Sequence, residues 1–250
     1  HERILQHNVI TVGHVTHDRY EESWVAGGSA FYGAKVASAL GARARLLSAV
    51  GLDFALDHAL EGIEAHLLRA GQTTAFINLY PAGQSRVQRV EARASTLRPA
   101  DLPREWMRAT LPQELATDLL FLAPVMGELD PLDDWSRSVN AGHTALCIQG
   151  YLRACSIVDP SEPAASDLSG AEERRGARVT SIETPLPAKL FDGVDTLFLS
   201  DEDLARCGDT VTLPELRRCA DLIYLTRGAQ GCSIFERGRP DPLHIPAHPA

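Results

Sequence analysis

The chain alternates short apolar runs with polar breaks marked by glycine. Asn8–Gly13 (NVITVG) is a β-branched run closed by glycine and predicts a buried strand. Ser29–Leu40 sets Ala30, Phe31, Ala34, Ala37, Ala39 and Leu40 at helical spacing, and Gly41 stops it as a C′ glycine does. Arg45–Val50 predicts a second buried strand and Leu56–Ala70 a second helix, closed by Gly71. Further strands are expected at Leu119–Ala123, Ala145–Gln149, Thr196–Leu199, Leu222–Thr226, Gly231–Glu236 and Leu243–Ile245. Further helices are expected at Leu132–Ala141, Glu202–Arg206 and Leu213–Cys219. Strands alternating with helices predict a doubly wound, three-layer α/β/α fold.

Three extended pieces break that alternation. They are Arg19–Val25, Thr73–Tyr80 and Arg86–Ala94, the last two separated by the turn signal Pro81-Ala82-Gly83. They predict a small β-sheet projecting from the main body. Asp159–Arg178, rich in Ser, Pro, Glu and Ala, reads as a surface excursion. With no repeat and no low-complexity tract, residues 1–250 read as one domain with a flap.

Composition narrows the function. The net charge of −9 opposes nucleic-acid binding, and no apolar run approaches the length of a membrane span. The five cysteines (Cys147, Cys155, Cys207, Cys219, Cys232) show no CxxC spacing, which points to a reducing cytoplasm rather than a disulfide framework.

The candidate chemistry sits just beyond strand ends, where open α/β sheets bind ligands. Asp18 follows the first strand by a few residues and can accept hydrogen bonds from two hydroxyls; a loop Asp capping local backbone is the plainer alternative. His14 and His17 are spaced HxxH, but no third metal ligand is evident. Gly27-Gly28 precede a helix, where backbone can approach a ligand and helix N–H groups favour polar atoms. The stretch has neither GxGxxG nor a Gly-Lys-Ser/Thr ending, so dinucleotide and P-loop readings fail. Glu128, Gln149 and Arg153 follow two later strands. Ser200-Asp201-Glu202-Asp203 puts an acidic cluster at a helix start, equally well explained as N-capping. Thr226-Arg227-Gly228-Ala229-Gln230-Gly231 is a loop able to meet a phosphate chain.

In this order and spacing the motifs resemble the PfkB or ribokinase family. The resemblance rests on Gly-x-x-x-x-Asp after strand one (Gly13 to Asp18), the Gly27-Gly28 helix start, GARARLLSAVGLDF (Gly41–Phe54) and the TxGxxG loop, and it covers nearly all of residues 8–246. IQGYLR (Ile148–Arg153) and FLSDEDL (Phe198–Leu204) look closest to a branch that includes plant myo-inositol kinases. The resemblance implies a ribokinase-like body with a β-sheet lid, a homodimer through that lid, and transfer of a phosphoryl group from ATP, with Mg²⁺, to a hydroxyl of a sugar, polyol or nucleoside. Asp18, Gly27, Gly28, Glu128, Gln149 and Arg153 would bind the acceptor. Thr226, Gly228 and Gly231 would line the nucleotide site. Ser200 and Asp203 replace the Asn and Glu of the family's Asn-x-x-Glu motif, with Asp203 the metal-side acid.

The family's Asp-Thr-x-Gly-Ala-Gly-Asp segment is expected soon after Pro246. Its last Asp is the general base, and its backbone stabilises the transferred phosphate. The segment does not occur within residues 1–250, so the resemblance puts the base Asp beyond Ala250 and assigns no catalytic residue to the stretch itself. Residues 1–250 are therefore expected to be inactive alone. Two alternatives stand beside a sugar or polyol kinase: a catalytically silent binder of a polyhydroxy ligand, and a nucleoside kinase.

Overall fold

A computed structural model describes residues 6–20, 23–80, 87–107, 115–156, 177–182, 185–206 and 211–248. In chain order the first half contains β1 (Asn8–Val12), β2 (Thr16–Tyr20), β3 (Ser23–Gly27), α1 (Ser29–Ala39), β4 (Arg43–Val50), β5 (Glu64–Arg69), β6 (Ala75–Leu79), β7 (Val87–Ala92) and α2 (Arg104–Met107). The second half contains β8 (Thr117–Leu122), α3 (Trp135–Ser138), β9 (Ala141–Cys147), β10 (Arg153–Ser156), β11 (Ala177–Ser181), β12 (Thr196–Ser200), α4 (Asp201–Arg206), α5 (Leu213–Cys219), β13 (Leu222–Thr226), β14 (Cys232–Glu236) and β15 (Leu243–Ile245).

The large sheet has the order β15-β14-β13-β12-β9-β8-β1-β4-β5. Strands β13 through β5 run parallel, and β14 and β15 close one edge as an antiparallel meander. The small sheet has the order β10-β11-β7-β6-β2-β3. This is the expected doubly wound body with a projecting sheet. The chain leaves β1, builds the hairpin β2–β3 in the small sheet, and returns through α1 to β4.

The period-2 alternation of the parallel strands sorts the core into two layers. Ile10, Val12, Leu47, Leu120, Leu122, Leu146, Leu197, Leu199, Ile223 and Leu225 share one face with Trp106, Trp135, Leu152, Phe191 and Leu216. On the other face, Val9 and Leu46 pack under Phe31, Ala34 and Ala37 of α1. Among the described residues no element covers that second face beyond α1. A groove of about 1210 Å³ runs between the helix stripe Tyr32, Val36, Leu40 and a sheet floor that includes Phe121, Phe198 and Tyr224.

Several expected elements take another form. Leu56–Ala70 is not a helix: a 3₁₀ turn (Asp57–Leu60) leads into β5, which pairs parallel with β4 from Arg45↔Glu64 to Val50↔Arg69. Gly62, at φ +80° and against Ser38, breaks the helical period, and an edge ladder with an Arg43–Glu64 ion pair at 2.8 Å overrides it. Arg19–Val25 is not one strand but parts of β2 and β3, paired from Thr16↔Gly27 to Tyr20↔Ser23. Leu132–Ala141 keeps one helical turn, because β9 begins at Ala141 in register with Thr117. Ala145–Gln149 as a strand shifts toward the N-terminus, and Gln149 opens a 3₁₀ turn. Most of the excursion expected at Asp159–Arg178 lies outside the described residues, and its last two residues begin β11. Ala250, beyond which the base Asp is expected, also lies outside the described residues.

Candidate functional site

The candidate residues gather along one edge, at the C-terminal ends of the parallel strands. Register places Val12, Leu47 and Leu122 level, and Ser200 level with Thr226. From β1 to β13 that edge crosses four strand spacings, about 19 Å. Acceptor candidates cluster at the β1 end, donor candidates at the β13 end, and the loops after β8 and β9 lie between them.

At the β1 end the hairpin β2–β3 folds Asp18 over Gly27. Thr16 Oγ1 donates to Asp18 Oδ1 at 2.7 Å. A Cβ on Gly27 would fall 2.3 Å from Asp18 Oδ2, so the carboxylate takes the space that a side chain would fill. Gly28 sits at φ +98°, and a Cβ there would meet the His14 carbonyl oxygen at 2.2 Å. Both glycines are therefore dictated by close approach, the second also by backbone conformation. No side chain caps α1, which starts at this point.

His14 and His17 sit in different environments. His14 is buried, with Nε2 at 2.8 Å from the Ser95 carbonyl and Nδ1 at 2.8 Å from Thr74 Oγ1. A carbonyl only accepts, so Nε2 carries the proton and Nδ1 accepts from the Thr74 hydroxyl. His17 instead stacks on Phe54 at 5.5 Å, and desolvation lowers its pKa despite Asp53 and Asp18 nearby.

Glu128 is 2% exposed, and its carboxylate accepts the backbone N–H groups of His14 (3.0 Å), Val125 (2.9 Å) and Met126 (2.9 Å). It ties the exit of β1 to the exit of β8, which makes it an organiser of the edge. The loop after β9 closes against it: a Cβ on Gly150 would lie 2.2 Å from the Pro124 carbonyl oxygen. Gln149 begins that loop and is half-buried. Arg153 Nη1 lies 3.5 Å from the Val125 carbonyl, and the Arg93 guanidinium bonds the Met126 carbonyl. Arg93 escaped the sequence reading because it precedes no motif; it arrives here only through the pairing of β7 with β6. Burial pushes the Cys147 and Cys155 thiols up, and burial with Glu128, Asp130 and Asp133 pushes the Tyr151 phenol far up, so none is poised as a nucleophile.

At the donor end Ser200 and Asp203 form a closed capping pair. Asp203 Oδ2 accepts from Ser200 N (3.0 Å) and Oγ (2.7 Å), and Asp203 N donates back to Ser200 Oγ at 3.0 Å. Asp203 is buried in this arrangement. The capping alternative is thus realised, and the carboxylate is engaged. Among the described residues no group of three or more His, Cys, Asp or Glu side chains could hold a metal ion, so these residues do not fit a Mg²⁺ centre of their own. Thr226 ends β13 exposed, and the following turn is closed by Arg227 N–H to the Gly231 carbonyl at 2.8 Å. Gly228 (φ +52°) and Gly231 (φ +92°) shape the turn, and a Cβ on Gly231 would strike the Ile245 carbonyl oxygen at 2.1 Å. No helix among the described residues is long and apolar enough to cross a membrane.

Solved structures share this architecture. A pyrophosphate-dependent kinase in the ribokinase family, solved as a sulfate complex, superposes with TM-score 0.69 at 16% identity, over 95% of this chain and 78% of that one. A pyrophosphate-dependent kinase of the same family, complexed with a pyrophosphate analog and myo-inositol, gives TM-score 0.65 at 17% identity, over 92% and 76%. Arabidopsis thaliana ribokinase with ribose and ATP gives 0.59 at 14% identity, over 98% and 80%. No family model and no curated protein matches the sequence. The fold is therefore ribokinase-like: a large, mostly parallel sheet with a second, smaller sheet.

Proposed function

We propose that this chain forms the acceptor-binding body of a ribokinase-like kinase that phosphorylates a hydroxyl of a small sugar or polyol. The observation that carries the proposal is Asp18, held by Thr16 over Gly27 beneath the small sheet and beside the start of α1. A carboxylate there accepts hydrogen bonds from two hydroxyls of a neutral polyhydroxy molecule, while the Gly27-Gly28 backbone lies close enough to complete the cradle. Gln149 opens the 3₁₀ turn after β9, and Arg153, at the start of β10, places Nη1 3.5 Å from the Val125 carbonyl at the same edge. The loop Thr226–Gly231 would receive the phosphate chain of the donor, and the amides of Gly228 and Ala229 donate to no backbone carbonyl of the described residues.

The donor is either ATP or pyrophosphate, since the similar structures include complexes with ATP and with a pyrophosphate analog. No described residue is proposed as the general base. Phosphoryl transfer depends mainly on positioning and on stabilising developing charge. The described residues contribute the acceptor's orientation and the anchoring of the edge through Glu128.

One observation favours a second reading, a polyhydroxy-ligand binder without catalysis. Asp203, the metal-side acid implied by the family pattern, has Oδ2 engaged by Ser200 N and Oγ.

Calorimetric titration with myo-inositol and D-ribose tests the acceptor site without requiring turnover. Wild-type protein is expected to bind one of them, and Asp18→Asn to weaken binding at least tenfold, about 1.4 kcal/mol. Equal binding by the variant would sink the proposal. A coupled screen with ATP and with pyrophosphate then separates kinase from silent binder.

A further inference from the structure

Passages of the chain between the two sheets converge on one side chain. The chain crosses from β1 to β2 through residues 13–15, from β5 to β6 through residues 70–74, and leaves β7 through residues 93–95. His14 lies in the first passage and is 2% exposed; Thr74, at the end of the second, is fully buried.

The backbone of the first passage is tied to the large sheet. Gly13 N–H donates to the Leu47 carbonyl at 3.2 Å, His14 N–H to Glu128 Oε1 at 3.0 Å and Val15 N–H to Ser48 Oγ at 2.8 Å. Leu47 and Ser48 belong to β4, and Glu128 follows β8. The His14 ring is tied to the other two passages. Nε2–H donates to the Ser95 carbonyl and Nδ1 accepts from the Thr74 hydroxyl, both at 2.8 Å. Thr74 Oγ1 in turn accepts Ala94 N–H at 2.9 Å, and the Thr74 carbonyl accepts His17 N–H at 2.9 Å. These bonds form a directed chain from Ala94 through Thr74 and His14 to Ser95. Only a neutral ring with its proton on Nε2 completes it.

A position demanding only filled volume would hold Leu or Ile. A ring engaged at both nitrogens fixes direction as well as distance, because a hydrogen bond weakens steeply when bent. β6 begins one residue after Thr74 and pairs with β2 from His17↔Ala75, with Asp18 opposite Phe76. The setting of the small sheet at His14 therefore reaches Asp18, four residues along the same strand.

We infer that His14 is a positioning residue: its main chain is fixed to the large sheet, its ring holds the roots of β6 and β7, and this joint sets where Asp18 stands for the acceptor. The inference rests on the acceptor site proposed above. His14 is enclosed by protein and acts through Asp18. Loosening the joint spreads the position of that carboxylate, so it weakens acceptor binding while the large sheet keeps its fold.

The test pairs binding with a map of where the intact protein loosens. His14→Leu fills the site and removes both ring bonds. His14→Gln keeps a donor and an acceptor. Thr74→Val removes only the hydroxyl link and carries the test should His14→Leu not fold. Affinity for myo-inositol and D-ribose is measured where each variant is fully folded. It is expected to fall at least about tenfold in His14→Leu, as misplaced binding groups do. The loss should be smaller in Thr74→Val and mostly recovered in His14→Gln. Amide hydrogen exchange should quicken in β2, β6 and β7 and keep its wild-type rate in β8, β9 and β12. Long-range ¹H–¹⁵N spectra should show the His14 ring as the Nε2–H tautomer. Leu197→Ala is the control for stability alone: it should lower Tm and leave affinity unchanged. Wild-type affinity in both His14→Leu and Thr74→Val, exchange that quickens evenly through both sheets, or an equal loss of affinity in Leu197→Ala overturns the positioning role. Loss of binding in Asp18→Asn would still uphold the acceptor site in those cases. If wild-type protein binds neither probe, the acceptor site falls and takes the role of Asp18 with it, while the exchange map still decides whether His14 joins the sheets.

Discussion

The two faces of the large sheet are built from the same strands and end differently. On one face Leu120, Leu146, Leu197 and Ile223 are fully enclosed by Trp106, Trp135, Leu152 and Leu216. On the other, α1 seals β1 and β4, and past it Phe121, Phe198 and Tyr224 form an aromatic row, with ring centroids 5.7 and 4.8 Å apart, along the floor of an open groove. Its helical wall is apolar too: Tyr32 is 54% and Leu40 82% exposed. Parallel sheets are normally covered on both faces. Strand sequence therefore prescribes two apolar faces, but coverage is decided by what the rest of the chain brings to each. The groove lies on the flat of the sheet, away from the strand ends where the polar candidates meet.

The sharpest way to break this comparison uses adjacent residues of β12. Leu197→Ala opens a cavity in the sealed face and should cost about 2–5 kcal/mol in denaturant unfolding. Phe198→Ala, one residue on and facing the groove, should cost about 1 kcal/mol or less, as substitutions outside a packed core do. Equal losses would mean that the groove is covered in the protein under test.

A smaller effect probes the cover of the sealed face. Trp106 Nε1–H donates to Glu64 Oε1 at 2.9 Å, and Arg45 lies over the Trp106 ring at 5.7 Å. Desolvation pushes the Glu64 carboxyl up, but hydrogen bonds from Arg43 and Trp106 together with the charges of Arg45 and Arg43 outweigh it and leave the pKa below its ordinary value of 4.5. A carboxylate with a depressed folded pKa contributes stability that is complete above 4.5 and is lost as pH falls through the folded value. Wild-type Tm should therefore drop more steeply below pH 4.5 than that of Glu64→Gln. Parallel Tm profiles would show that Glu64 does not secure this cover.

Legibility of the sequence followed the range of the interactions. The strands near Asn8–Gly13, Leu119–Ala123 and Leu222–Thr226 were readable because each is a short, continuous run of apolar and β-branched residues. α5 was readable because Thr212 and Glu215 form a capping box, with Thr212 N–H to Glu215 Oε2 at 2.8 Å. The segment Leu56–Ala70 misled because its apolar spacing fits a helix, while pairing with β4 is invisible locally. Among site candidates, Gly27 and Gly28 were legible as backbone that needs close approach, and the structure supplies the atoms: Asp18 Oδ2 and the His14 carbonyl. Glu128 was legible as a polar group after a strand, but its engagement by three backbone N–H groups was not.

By itself the sequence determined most strands of the large sheet, α1, the two apolar faces and the glycines at the edge, because burial period and backbone freedom are local properties. Only the tertiary structure decided which face is sealed, which carboxylates are already spent on backbone and hydroxyl donors, and that the His14 ring meets Thr74 and Ser95. Sealing of the face, the engagement of Glu128 by His14 and the bonds of the His14 ring depend on partners tens of residues away, and a hydrogen bond or a packed layer exists only once both sides have been brought together.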